Sequence, residues 1–180
     1  MCSDLVSHRT CVVDGMPVAP GAVEQWGEIV YYSPEAFCAV DLDPFVCQEI
    51  ARTLAVGTME WGNYGPVEYW VVGLDEGAVS DLTEVMCRRR ADRGHGEYDR
   101  CVSLNETGGF MEYYRVGAES EAAGQAGGMM GRNGSRSWNI HFFVSSPPWG
   151  FTDRFESSGS GEQVTVLHEY FHAVQHSFLM

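Results

Sequence analysis

Two hydrophobic rhythms alternate through the middle of the chain. "PVEYWVVGL" (66–74) is a short run of β-branched and aromatic residues closed by glycine, the signature of a strand. The next stretch, "DEGAVSDLTEVMCRRRAD", spaces Val79, Leu82, Val85 and Met86 at three- and four-residue steps. Acidic residues lead it and three arginines finish it, an order that suits a helix dipole. In "WNIHFFVSS" (138–146) the period returns to two: Ile140, Phe142 and Val144 share one face, His141 and Phe143 the other, and Pro147 and Pro148 end the run.

Upstream, "DPFVCQEIARTLA" (43–55) predicts a helix with Asp43 as N-cap and Pro44 in the first helical position. "EIVYYS" (28–33) and "GFMEYYRV" (109–116) read as strands, and the Gly-, Ala- and Ser-rich residues 117–136 as a long loop. Residues 1–27, punctuated by Gly15, Pro17, Pro20 and Gly21, read as irregular. The order strand, helix, strand, helix, strand, strand, helix predicts an α+β fold, a mixed sheet with helices packed on it.

Composition narrows the classes. A chain of 180 residues, 44% apolar, is expected to form a single domain over 1–180 with a real core. No apolar run is long enough to span a bilayer, and "MCSDLVSHRT" lacks the basic start and apolar stretch of a signal peptide. The net charge is −14 and lysine is absent, so phosphate backbones and anionic membranes are repelled; neither nucleic acid nor membrane is an expected partner. Six cysteines, at 2, 11, 38, 47, 87 and 101, form no C-x-x-C pair, which disfavours a structural zinc knuckle. Their even number points to disulfides and a secreted or extracellular setting, with buried free thiols as the competing reading. Cys87 and Cys101 flank the polar loop "RRRADRGHGEYDR" and make a local staple.

The chemistry concentrates in "QVTVLHEYFHAVQHSFLM" (163–180). Ser160 and Gln163 form a capping-box pattern, and Val164, Leu167, Phe171, Val174 and Phe178 predict the buried face of a terminal helix. His168 and His172, four residues apart, project from a common side. Two imidazoles at that spacing can bind one Zn²⁺ at about 2.0–2.1 Å each. Glu169, about 100° further round the helix, need not be a ligand and is placed to act as a general base on water. Three fixed residues of this kind arise by chance in roughly 2% of chains this long, but Thr165, Val166, Leu167, Tyr170, Phe171, Ala173 and Val174 around them are all uncharged.

"TVLHEYFHAV" resembles the active-site helix of the zincin metallopeptidases, and of their gluzincin branch more than the metzincins: Gln175 stands where the metzincin glycine would fall, and His176 comes two residues early for a third histidine. The resemblance implies zinc-dependent hydrolysis of a peptide or protein substrate, with His168 and His172 as zinc ligands and Glu169 as catalytic base. It also implies a zincin-like twisted mixed sheet whose antiparallel edge strand holds the substrate backbone, a part for which "WNIHFFVSS" is the candidate. The third gluzincin ligand is typically a glutamate on a later helix. His176 is a poor substitute, because it lies roughly 12 Å from His168 along a regular helix. Residues 1–180 are therefore expected to be a C-terminally truncated domain carrying two of its zinc ligands. The alternative function is a non-catalytic, disulfide-stabilised extracellular interaction domain with a degenerate zinc site. Cys2 and Cys11 as a zinc cap have no supporting motif; His141 reads as a strand residue facing solvent or a cleft, with a role as ligand or substrate contact as the lesser alternative, and His95 as a loop residue.

Overall fold

Three strands run parallel in the middle of the sheet because the chain crosses over through helices between them. The computed structural model describes residues 2–12, 34–62, 67–122, 130–133, 141–145 and 161–178. Strands β1 (Cys2–Asp4), β2 (Arg9–Val12) and β3 (Glu35–Cys38) are followed by helix α1 (Pro44–Trp61) and strand β4 (Val67–Val71). Helices α2 (Glu76–Asp92), α3 (Tyr98–Asn105) and α4 (Phe110–Ala122) come next, then β5 (Met130–Asn133), β6 (His141–Ser145) and α5 (Gly161–Phe178). The sheet order is β1-β2-β3-β4-β6-β5. β3, β4 and β6 are parallel neighbours, while β1, β2 and β5 add antiparallel pairings at the two sides. The result is an α+β fold built on a mixed sheet. Among the described residues no helix is long and apolar enough to cross a membrane.

Alternation along the strands builds a core on each face of the sheet. Tyr69, Val71 and Phe143 pack beneath α1 and α5, with Ile50, Leu54, Val166 and Tyr170. Trp70, Val72, Phe142 and Val144 point the other way, against Val79, Leu82, Met86 and Phe110 of α2 and α4. The expected division of Phe142 and Val144 from Phe143 is therefore present. The expected Asp43 cap forms, accepting from Phe45 N at 2.8 Å, and Asp75 caps α2 in the same way, accepting from Ala78 N at 2.9 Å. Glu35 and Glu68 lie side by side on β3 and β4. Arg89 of α2 bridges them at 2.7 and 2.8 Å, and the Trp70 indole N–H donates to Glu68 at 3.2 Å, so the buried Glu68 carboxylate is compensated.

Several expectations are corrected. Residues 1–27 are not irregular throughout: β1 and β2 pair, with Cys2 opposite Cys11 and a disulfide joining them. The polar stretch after Cys87 runs into α3, and 110–116 is helix rather than strand. The aromatic residues of "GFMEYYRV" suit a strand by propensity, but a helix lets Phe110, Met111, Tyr113 and Tyr114 all pack toward the α2 side core, and tertiary packing prevails. Part of the 117–136 loop is α4 and β5. The strand expected at the edge, β6, is internal, paired with β4 on one side and β5 on the other. Phe142, Phe143, Val144 and Ser145 are all buried, as both faces of β6 are covered. Among the described residues both outer strands, β1 and β5, run antiparallel to their neighbours. In α5 the buried residues are Val166, Tyr170, Ala173 and Val174, while Val164 and Phe171 from the expected core stripe are exposed. "EIVYYS", Ser160 and the side chains of His141, His176 and Phe178 lie outside the described residues.

Candidate metal centre

Tyr170 fixes how α5 is rotated. Its ring lies in the core beneath α1 and its hydroxyl donates to Gly62 O at 2.7 Å, just past the end of α1. A Cβ at Gly57 would come within 2.7 Å of that ring, so the missing side chain is what lets the helices approach. With Val166, Tyr170 and Ala173 turned inward, His168 is presented to solvent and His172 and Glu169 are half-buried. One ligand atom from each of these three side chains lies within 4.8 Å of the others.

The two imidazoles meet through the same nitrogen. His168 Nε2 and His172 Nε2 are 3.1 Å apart, with the rings nearly perpendicular at 87°. Two nitrogens on a tetrahedral zinc sit about 3.5 Å apart, so a small rotation of either ring suffices. His172 Nδ1 faces Gln175 Oε1 at 2.9 Å. In the tautomer that donates from Nδ1 to this oxygen, the Nε2 lone pair of neutral His172 is left for a metal. Gln175 thus stands where an outer hydrogen-bond partner would orient His172 if it held a metal. A donor set of two imidazoles with a carboxylate beside them is chemically suited to Zn²⁺.

Glu169 exerts its charge toward the sheet. Burial pushes the Tyr69 phenol on β4 well above its ordinary pKa; the nearby Ser145 hydroxyl opposes this and the Glu169 carboxylate adds to it. Tyr113 on α4 is also raised, by burial first and then by Glu112 and Glu169. The Ser145 hydroxyl is buried without a partner at full hydrogen-bond geometry among the described residues.

The structure brings His168, Glu169 and His172 together; of the other sequence candidates, the cysteines and His95 have other places, and the side chains of His141 and His176 lie outside the described residues. All six cysteines are paired, 2 with 11, 38 with 47 and 87 with 101, which removes both free thiols and a Cys2/Cys11 zinc cap. The Cys87–Cys101 staple is present as expected, and three disulfides suggest an oxidising environment. His95 lies in the turn between α2 and α3, its N–H bonded to Arg90 O. Gln175 was a missed contributor; its signal was position, one helical turn past His172 on the same side. Compared with protein-family models, with curated proteins and with solved structures, the chain matches none.

Proposed function

We propose that this chain is a metallopeptidase domain acting on a peptide or protein in an extracellular or secreted setting, with Zn²⁺ held by His168 and His172 and with Glu169 as general base. The observation that carries this reading is the convergence of the two Nε2 atoms at 3.1 Å, with Gln175 Oε1 2.9 Å from His172 Nδ1. Zinc, when bound, supplies a Lewis acid that polarises a carbonyl and acidifies water. The remaining steps belong to the protein. Glu169 takes a proton from the attacking water and returns it to the leaving amine. The outer side of β5, whose described partner is β6 alone, offers its backbone N–H and C=O groups to an extended substrate, the part first expected of 138–146. Catalytic zinc usually takes three protein ligands. Two imidazoles alone hold the metal weakly, so assays of this chain need zinc in excess.

The test separates binding from turnover. Wild type should take up about one zinc per chain, measured by calorimetry and elemental analysis, and His168→Ala or His172→Ala should abolish it. Glu169→Gln should retain zinc and lose hydrolysis of a mixed peptide library by about 10²–10⁴-fold. Undiminished turnover in that variant would remove Glu169 from the chemistry. Loss of zinc would make it a ligand instead, and zinc without turnover in wild type would favour a binding domain.

A further inference from the structure

The three disulfides differ in what a reagent can reach. Cys11, Cys38, Cys47 and Cys87 are fully enclosed. Cys101 is 9% exposed, with the Asn105 amide nitrogen 3.8 Å and an Arg90 guanidinium nitrogen 3.9 Å from its Sγ. Cys2 alone is half-buried. Its bridge to Cys11 joins residues directly opposite each other on the antiparallel strands β1 and β2. The strand it fastens has little else to hold it. β1 is three residues long, Ser3 and Asp4 are exposed, and among the described residues its sheet partner is β2 alone. Asp4 pairs with Arg9, but with the Asp4 side chain 71% exposed that ion pair is screened by water. The rest of the sheet does not depend on this bridge. β2 also pairs with β3 over four residues, and the enclosed Cys38–Cys47 bridge ties the end of β3 to α1, with Cys47 Sγ 3.6 Å from Ala36 O.

We propose that Cys2–Cys11 is a thiol-exchange site, the bridge that a dithiol opens while the protein stays folded, and that its opening frees β1 from the sheet. The proposal is independent of the hydrolase reading. A disulfide is cut by a thiolate that attacks one of its sulfurs, so access to that sulfur decides which bridge reacts. Here the reachable sulfur is Cys2 Sγ. The incoming thiolate bonds to it, the S–S bond breaks, and the electron pair leaves on Cys11 Sγ, which takes up a proton. The second thiol of the reagent then gives up its proton and attacks the mixed disulfide. Cys2 departs as a thiolate and is protonated, and the reagent leaves as its own disulfide, having reduced the bridge. The same approach to Cys87–Cys101 requires α3 to part from α2, and to Cys38–Cys47 requires α1 to part from the sheet; such openings cost a large share of global stability. A net charge of −14 repels anionic thiols, so the preferred reagent is a neutral or cationic dithiol. With the bridge cut, β1 frays, and the backbone groups of β2 that it had paired stand open as a sheet edge.

The experiment uses the oxidised full chain under native conditions. Dithiothreitol, a neutral dithiol, is titrated in, and free thiols are trapped with N-ethylmaleimide and located by peptide mass spectrometry. Cys2 and Cys11 should be labelled together at a reductant concentration about tenfold or more below that needed for the other four cysteines. Over that range hydrogen exchange should quicken at the β2 amides bonded to β1, with α1, α2 and β4 unchanged. Cys2→Ser/Cys11→Ser should show the same exchange pattern without reductant. Glutathione, an anionic thiol, should open the bridge faster as salt is added; a rate independent of salt removes the charge preference. Labelling of another pair at the same or a lower concentration overturns the site, as does labelling of all six cysteines only when near-ultraviolet circular dichroism is lost. Opening of Cys2–Cys11 with unchanged exchange in β2 overturns the release of β1.

Discussion

At the level of single residues, the candidate centre was legible where the chemistry is local in sequence. His168, Glu169 and His172 could be picked out because a helix converts a spacing of four into adjacency. The hydrogen bond from His172 to Gln175 uses the same rule but no fixed residue type, so the sequence did not single it out. Gln175→Ala should weaken zinc binding by about 10–100-fold while His168 and His172 remain in place, as loss of an outer-shell partner typically does; unchanged affinity in a calorimetric titration would show that the bond does not orient His172. A second residue, His8, was invisible to sequence reasoning because only the fold buries it. Burial, and then the charge of Arg89, lower its pKa from the ordinary 6.5. The unfolded chain therefore binds more protons at His8 as the pH falls below 6.5, so its contribution to stability is full above that value and drains away as pH drops through the lowered folded one. Glu35 in the same cluster works the other way: burial raises its pKa, so what it contributes is full below 4.5 and is lost as pH climbs through its folded value. Melting temperature should fall between pH 7.5 and 5.5, and less steeply in His8→Gln than in wild type; equal slopes would exclude His8 as the cause.

At the level of elements, α1, α2 and β4 were readable because capping residues and hydrophobic period agreed. They disagreed or were silent elsewhere. The aromatic run of α4 favours a strand by propensity, and only its packing against α2 makes it a helix. β6 alternates like a half-buried strand, yet helices cover both of its faces. In α5 the expected core stripe of Val164, Leu167, Phe171, Val174 and Phe178 is buried at Val174 but exposed at Val164 and Phe171, and Tyr170 turns inward because Gly57 leaves room for its ring. This can be tested at the crossing. Gly57→Ala would gain about 1 kcal/mol of helix propensity but set a methyl group against a ring pinned at its hydroxyl. Overpacking of this kind costs about 1–3 kcal/mol, so denaturant unfolding should show a net loss. A stabilised variant would mean that α1 and α5 separate more easily than the Tyr170 contact implies.

At the level of the whole molecule, the mixed character of the sheet followed from the element order, but the strand order did not. β1, β2 and β5 come from stretches with weak periodicity; β1–β2 and β5–β6 pair locally, but β2–β3 and β4–β6 join residues distant in sequence. Disulfides complement the core. Cys87–Cys101 closes a separation of 14 residues between α2 and α3, for which chain-entropy arguments give about 3 kcal/mol. The double substitution Cys87→Ser/Cys101→Ser should lower unfolding free energy by roughly that amount, read from the denaturant midpoint; no change would mean that α3 holds to α2 by packing alone. The three bridges also share an arrangement with a consequence for biosynthesis. Each cysteine bonds to its nearest neighbour in sequence, at separations of 9, 9 and 14 residues. Of the 15 ways to pair six cysteines, this is the one a chain reaches if each thiol closes on the first partner to emerge beside it. Oxidation can therefore keep pace with synthesis, N-terminal bridge first, and the protein should refold from the reduced state with little need for a shuffling catalyst.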